Sequence, residues 1–563
     1  MLKDIFGGLI MIKKISIILV IVMIMSVLSG CTPKYPKSVE SNLVENVDYI
    51  DHAITYDGQK LTYDESMWYV NELSAVPLAD PHVFFEDDTY YIVGTTDRDN
   101  SVIDCYSTKD FVTYTRHMAI YDPDNYDGWE HDTDPQVFAP EVYCFDGVYY
   151  MYYSAHDKDG IRRNSVVVSS NPLGPYVPLQ NDKVDGLTTP VFLDKNQNFA
   201  VLDITVFVDD DGQMYMYYSV SCNENQHIVG VKLKSPYEAD WDTYTTIVVP
   251  GTLNSSNAVL KPLSWEMLRD GRPIAEAPYV VKSNGKYYMT YSVNGCWDKF
   301  YSVCYAVSDS PLGVYEKPYE SGSTWTNLLL GFPGTNVANS TVNSQWSGFA
   351  SGTAHHCFFN IGDQIMIGYH GHQNRMGNNG KYEERYFAFD YLHFDENGVP
   401  FCNGPTYSVQ PLPEELSGYY NIAPLAEVKS ENVTNDKAIN DNYIVDCYNL
   451  KGEEGKEVSL GTGYSFIELK FDRTYEIGGI AIYNSAFYEK LLSEIVYIDF
   501  GNGNVVQYPQ FAYEKYVNDE KQFVFPNSAF TIEFLNIFEA DHVVICVKTS
   551  EAASLNEIVV LGK

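Results

Sequence analysis

The chain has 563 residues with 75 acidic against 37 basic side chains, a net charge of −38. A negative field over the whole molecule repels polyanions, which argues against nucleic acid and polyuronate as partners. It carries 47 Tyr and 28 Phe, enough aromatic surface for a large core and for stacking against sugar rings.

In chain order, Met11-Ile-Lys-Lys14 precedes an apolar run from Ile15 to Leu28. A basic start and a short apolar stretch read as an export signal rather than a membrane span. Leu28-Ser-Gly-Cys31 resembles a bacterial lipobox, which implies cleavage before Cys31 and lipidation of its thiol. Residues 1–31 are therefore expected to be a lipoprotein signal, and the mature chain to be exported and held on the outside of a bacterial membrane. Residues 32–72 are polar and weakly periodic, the pattern of a tether.

From there one unit is written five times: two apolar and aromatic runs around a polar turn, as in Glu276-Ala-Pro-Tyr-Val-Val-Lys-Ser-Asn-Gly-Lys-Tyr-Tyr-Met-Thr-Tyr291. The copies start at Asp80, Glu141, Asp203, Glu276 and His355, at intervals of 61, 62, 73 and 79 residues. A repeat of this length built from hairpins is a four-stranded sheet, and five such sheets predict a five-bladed β-propeller over residues 73–413. Residues at one phase of each repeat should meet at one mouth of the central channel. That phase is taken to be Asp80, Glu141, Asp203, Glu276 and His355, four carboxylates among five positions. Carboxylates facing one another raise each other's pKa, an arrangement that acid–base chemistry uses.

Ser170-Asn-Pro-Leu-Gly-Pro-Tyr176 and Ser310-Pro-Leu-Gly-Val-Tyr315 repeat a turn phrase between blades. Pro318-Tyr-Glu-Ser-Gly-Ser-Thr-Trp325 is a single near-match to a sialidase repeat, without the cationic pocket an acidic sugar needs. Residues 414–424 read as a linker, and apolar alternation over 425–563 predicts a β-sandwich of jelly-roll type. No Trp lies beyond Trp346, so a carbohydrate-binding module there would stack sugars on Tyr or Phe. The 10 Cys show no C-x-x-C spacing, and neither a disulfide framework nor a zinc site is legible.

Ala-Asp80-Pro-His-Val, Phe138-Ala-Pro-Glu141, Leu-Asp203-Ile-Thr-Val and Glu276-Ala-Pro-Tyr279 resemble, in this order, the motifs of glycoside hydrolase family 43. Arg385 and Phe394-Asp-Glu-Asn-Gly-Val-Pro400 complete the resemblance. Three positions depart from the usual pattern: Phe138 for Trp, Ile204 for Pro and Ala277 for Gly. The C-terminal part resembles galactose-binding-like, discoidin-type sandwiches, chiefly through Leu555-Asn-Glu-Ile-Val-Val-Leu-Gly562.

The resemblance implies an inverting glycosidase acting on neutral plant cell-wall polysaccharides or oligosaccharides. Exo-acting α-L-arabinofuranosidase or β-xylosidase is the first expectation. Endo-arabinanase, exo-galactanase and a non-catalytic glycan-binding surface propeller are the alternatives. By the same resemblance Asp80 is the general base, Glu276 the general acid, and Asp203 the carboxylate that orients the acid and keeps it protonated. Glu141, Trp297, His355 and Arg385 are substrate-binding candidates. No cofactor is required, and a calcium ion or another cation near His355 is allowed. The insertion from Gly322 to Gly352 would narrow the mouth and favour exo action. The C-terminal unit is expected to be dispensable for turnover of small substrates.

Overall fold

The computed structural model describes residues 47–52 and 67–563 apart from 72–74, 97–99, 132, 180–182, 185–186, 189, 193–198, 253–262, 269–271, 299, 320–325, 332–350, 373–384, 407, 446–454, 510 and 512–525. Cys31 with its signal, and most of the Gly322 to Gly352 insertion, lie outside the described residues.

Five four-stranded antiparallel sheets follow one another along the chain. Their inner strands are Ala79–Glu86, Phe138–Phe145, Ala200–Val208, Ala275–Ser283 and Ser351–Ile361. The fold is all-β and its N-terminal part is a five-bladed propeller, with each of the five expected repeat starts on an inner strand.

The second strands explain why the sequence shows runs such as Met-Tyr-Met-Tyr-Tyr rather than a polar alternation. Successive side chains of a strand leave opposite faces of the sheet, and here both faces are covered by neighbouring blades. Tyr153 packs with Val93 and Ile103 of the first blade, whereas its neighbour Tyr152 packs with Val206 and Tyr218 of the third. Tyr217 turns to Met289 and Tyr291 of the fourth blade, and Tyr288 to Ile367 and Tyr369 of the fifth. The fifth core, with Ile361, Met366 and Phe387 against Val83 and Ile92, joins the last blade to the first.

The ring also closes through polar groups. Asn71 Nδ2 donates to the Phe389 carbonyl at 2.9 Å and its Oδ1 accepts the Phe389 amide at 3.0 Å. Beside it, Asp390 accepts from Tyr69 (3.0 Å), Tyr369 (2.7 Å) and Thr406 (2.5 Å). Burial raises its pKa to about 6, against the pull of these donors. Trp68–Tyr69 pairs with Gln410–Pro411 across the same seam.

The C-terminal part is a second all-β unit whose nine described strands, joined by Tyr49–Asp51, form one hydrogen-bonded set. Two long strands, Gly463–Asn484 and Ala529–Thr549, run through it, around a core that includes Ile467, Leu469, Ile480, Phe530 and Ile545.

Two expectations need correction here. The supposed tether is partly built into the fold, because Tyr49–Asp51 pairs with Phe534 to Ile532 of the C-terminal sheet. Nor is the C-terminal unit a loosely appended module. Met67, Trp68, Val70 and Val409 share one core with Ile444, Ala481, Tyr483 and Leu561. Trp68 Nε1 donates to Glu533 at 3.0 Å, Tyr483 to Gln410 at 2.7 Å, and the Ala529 amide to Ser408 at 2.9 Å. The linker likewise carries structure: a short helical turn, Glu414–Ser417, ends at Gly418 with φ 71°, and Tyr420–Asn421 then pairs with Gly562 and Leu561. The eight described cysteines are all free, and Cys105, Cys304, Cys357, Cys402 and Cys546 are buried.

Candidate active site

Each inner strand is interrupted by a bulge near its start. Between Ala79 and His82, Phe138 and Glu141, Leu202 and Thr205, Glu276 and Tyr279, and Ala354 and Cys357, the strand spends one residue more than its partner. The second residue of each series takes a left-handed conformation: Asp80 (φ 49°), Ala139 (47°), Asp203 (55°), Ala277 (49°) and His355 (47°). Asp and His tolerate this region better than most residues, whereas the two alanines hold it at a cost of about 1–3 kcal/mol each.

The bulges correct the expected phase. Asp80, Asp203 and His355 are equivalent positions, but Glu276 stands one residue before the bulge residue of its blade, in register with Ala79, Phe138, Leu202 and Ala354. Glu141 stands two residues after it, in register with His82, Thr205, Tyr279 and Cys357. An extra residue in a strand shifts every later side chain by one, so counting from carboxylate to carboxylate mixes three backbone positions.

At each bulge the backbone amide reaches the preceding blade around the ring. Asp80 N–H donates to His370 Nδ1 (3.1 Å), Ala139 N–H to Thr95 (2.9 Å), Asp203 N–H to Ser154 (3.0 Å) and His355 N–H to Ser292 (2.9 Å). The fourth blade differs. Its Ala277 amide donates to Asp203 Oδ2 at 3.1 Å, and Ser219, which would complete the ring, has no hydrogen-bond partner. The Asp203 carboxylate is thereby fixed against the residue that follows Glu276.

The three carboxylates are all buried, at 6 to 8% exposure, but they are charged differently. Burial works to raise Asp80, yet His355 and Arg385 beside it, with His370, outweigh burial and hold it well below the usual carboxylate range. Its Oδ1 lies 3.1 Å from His355 Nδ1 and 3.2 Å from Arg385 Nη1, and its Oδ2 accepts from Thr95 at 2.6 Å. Arg385 is the permanent charge of the group, since burial lowers His355 and brings His370 down to about 3.

Asp203 and Glu276 move the other way. Burial raises Asp203 well above its ordinary value, and the nearby charges of Glu276 and Asp80 push in the same direction. Burial also raises Glu276, with Asp80 adding to it and with the Tyr301 hydroxyl and the Gln226 amide opposing. Gln226 Nε2 donates to Glu276 Oε2, and Arg272 reaches the Gln226 oxygen at 3.5 Å. Both Asp203 and Glu276 are thus biased toward their protonated forms, chiefly by burial. One carboxyl held low thus shares a buried site with two that are raised, an arrangement that suits a proton acceptor and a proton donor.

The remaining candidates divide. Arg385 joins the cluster, and its guanidinium carbon lies 5.0 Å from the ring centre of Trp297, which is 59% exposed. An arginine against an exposed indole makes a rim on which a sugar face can stack. Glu141 does not join. It accepts from Tyr143 at 2.5 Å, and Tyr143 meets Thr205 at 3.2 Å, one layer further along the channel. Burial pushes Glu141 up to about 8 against these two hydroxyls. The surroundings of His355 do not suit a cation: its Nδ1 faces Asp80, Arg385 is adjacent, and among the described residues no three His, Cys, Asp or Glu side chains converge to hold a metal. Hard cations need several oxygen ligands.

Residues not expected from sequence complete the site. Thr95, Ser154, Ser219, Ser292 and His370 each pair with the residue before a bulge, one at the end of each second strand. They form a visible column in the repeats that a search for carboxylates passes over. Phe138, in the register of Glu276, has Arg162 at 5.6 Å from its ring centre, and Arg162 also draws down both Asp203 and Glu276.

The sequence pattern described as Glycosyl hydrolases family 43 matches residues 69–400. Among characterised proteins, a xylosidase/arabinosidase of Bacteroides ovatus is 25% identical over 271 residues, covering 42% of this chain and 76% of that protein. A β-D-galactofuranosidase of Aspergillus niger is 26% identical over 335 residues, covering 57% and 80%. Among solved structures, that of a thermostable family-43 glycoside hydrolase is 27% identical, covers 61% of this chain and 99% of the other, and superimposes with a TM-score of 0.49.

Proposed function

Because that match runs over residues 69–400, the chain belongs to glycosyl hydrolases family 43 and is a glycoside hydrolase, and from this premise we propose an inverting, exo-acting α-L-arabinofuranosidase or β-xylosidase. In this reading Asp80 takes a proton from water as the water oxygen attacks the anomeric carbon. The bond to the leaving oxygen breaks, and that oxygen receives the proton of Glu276. Asp80 ends protonated and Glu276 ionised, and solvent restores both. The observation that supports the reading is the setting of the carboxylates: Asp80 lies against His355 and Arg385, whereas Asp203, tied to the Ala277 amide, and Glu276 are raised by burial.

Asp203 acts here as a positioning residue. Its carboxylate, tied to the Ala277 amide, keeps the acid's proton in place by like-charge proximity. Arg385 and Trp297 receive the sugar at the rim. Exo action is supported by a relative named extracellular exo-α-(1→5)-L-arabinofuranosidase, and a pentose is the substrate class that the names xylosidase/arabinosidase suggest. The C-terminal unit is read as a galactose-binding-like sandwich, and Leu28-Ser-Gly-Cys31 as the site of a lipid anchor that holds the enzyme outside the cell. No helix among the described residues is long and apolar enough to cross a membrane.

The test is proton NMR of the first-formed sugar during hydrolysis of 4-nitrophenyl α-L-arabinofuranoside and 4-nitrophenyl β-D-xyloside. Inverted product from either substrate supports the assignment. Retained configuration would overturn the roles of Asp80 and Glu276, and release of internal fragments from arabinan would replace exo with endo action.

A further inference from the structure

A second site lies away from the catalytic channel, in a cavity of about 800 Å³ between the fifth blade and the C-terminal unit. The hairpin turn at Ile361 to Gln364 forms one wall. That turn is six or more residues beyond His355 on an extended strand, hence about 20 Å from the catalytic carboxylates. Ligand sites favour such domain boundaries, and a cavity of this size holds one or two sugar rings.

The walls show which chemistry fits. Tyr391 and Tyr420 present half-buried rings, and Asn421 and Asn442 present amides joined at 3.1 Å. No Lys or Arg lines the cavity, whereas Asp363, Glu414 and Glu415 do, so an anionic ligand is disfavoured. The decisive residue is Glu557. Its side chain is 1% exposed and lines the cavity, yet neither carboxyl oxygen makes a hydrogen bond of ordinary geometry. Asp441 and the amides of Ile558 and Asn442 lie around it, and burial followed by the charge of Asp441 raises it well above its ordinary range.

A buried carboxyl whose neighbours are a second carboxyl and two amides outside ordinary hydrogen-bond geometry is a standing cost to folding. Sugar hydroxyls, which both donate and accept, meet a carboxyl in either protonation state, while the tyrosine rings suit the apolar face of a pyranose or furanose. A compact cation is the competing occupant, but no three acidic, His or Cys side chains converge among the described residues.

We propose that this cavity is a second carbohydrate site, taking a neutral sugar unit of the polymer that the channel cuts, with Glu557 hydrogen-bonding its hydroxyls. The choice of sugar class rests on the function proposed above. Such a site would hold the enzyme on its polymer while chain ends are processed elsewhere on the molecule.

The experiment uses the full chain carrying Asp80→Asn, titrated calorimetrically with xylotriose and with arabinotriose. Two binding events per chain are expected for at least one of them. Adding Glu557→Leu should abolish one event, weakening it at least tenfold, and leave the other within about twofold. Its thermal midpoint should be unchanged or higher, because the apolar side chain removes the unpaired carboxyl; a merely structural glutamate would instead lower it. Val559→Phe, which narrows the cavity from the same strand, should abolish the same event. In the otherwise unaltered enzyme, Glu557→Leu should keep aryl glycoside turnover within about twofold. The absence of any event that either cavity substitution weakens, or a calcium-dependent rise in thermal midpoint that Glu557→Leu removes, would each overturn the proposal, whereas a single event that both cavity substitutions abolish would keep the cavity site and count against the proposed function. Absence of aryl glycoside turnover in the parent enzyme would count against the proposed function and leave the two-event test of the cavity standing.

Discussion

Replacing Asp203 with Asn should move one limb of the pH profile and leave the other in place. In the parent, Asp80 is depressed by Arg385 and His355, so the acid limb of kcat/KM lies below the usual carboxylate range. If Glu276 is the acid, the alkaline limb reports its ionisation, whose pKa burial raises. Asp203→Asn removes a carboxyl that is electrostatically linked to Glu276, and a nearby like charge disfavours ionisation. Burial and Asp80 continue to raise Glu276, so only part of its elevation is lost. The sign is acidward: with less repulsion Glu276 ionises more readily, so the protonated acid disappears at lower pH. The Asn side chain can still accept the Ala277 amide at the 3.1 Å position, which keeps the geometry. The assay is kcat/KM against pH on 4-nitrophenyl α-L-arabinofuranoside or the β-xyloside, since that ratio reports the free enzyme. An alkaline limb that stays put, or equal movement of both limbs, would refute the coupling of Asp203 to the acid.

Other consequences are equally direct. Glu276→Gln should cost about 10²–10⁴ in kcat/KM on xylobiose or arabinobiose but far less on 2,4-dinitrophenyl glycosides, whose leaving groups need no proton; comparing the two rates checks it, and equal losses would remove Glu276 from the acid role. Trp297→Ala should raise KM several-fold with kcat nearly kept, because the indole is 59% exposed at the rim and touches Arg385 rather than the carboxylates; steady-state kinetics separates the two constants. Trp68→Ala should destabilise the whole chain by about 3–5 kcal/mol by emptying a shared core and by leaving Glu533 without its indole donor. Urea denaturation should show one transition at a lower midpoint, and removal of residues 421–563 should yield an insoluble propeller rather than a free-standing enzyme.

Much of this molecule is legible in its sequence because its hairpins are local. Each blade pairs strands joined by turns such as Asn284-Gly285, so the period and the number of blades follow from neighbouring residues. The seam between the two units does not follow, because Trp68 and Glu533 are 465 residues apart and nothing near either announces the other. The phase of the catalytic layer is an intermediate case. Aligned by carboxylates, the repeats place Glu141 and Glu276 beside Asp80. Aligned by the residue after each bulge, they place Pro81, Pro140, Ile204, Pro278 and His356 in one column. Three prolines mark that column because the ring cannot donate to the sheet where the strand is interrupted. The offset of Glu276 from that column has a chemical consequence. Standing one residue earlier, it leaves the bulge amide of Ala277 for Asp203, so the backbone that follows the acid also anchors its partner. Had the acid occupied the bulge position, as Asp80 and Asp203 do, its own amide would lie beneath it. Glu276→Ala with Ala277→Glu would therefore keep the composition and charge of the site while placing the acid in the wrong register.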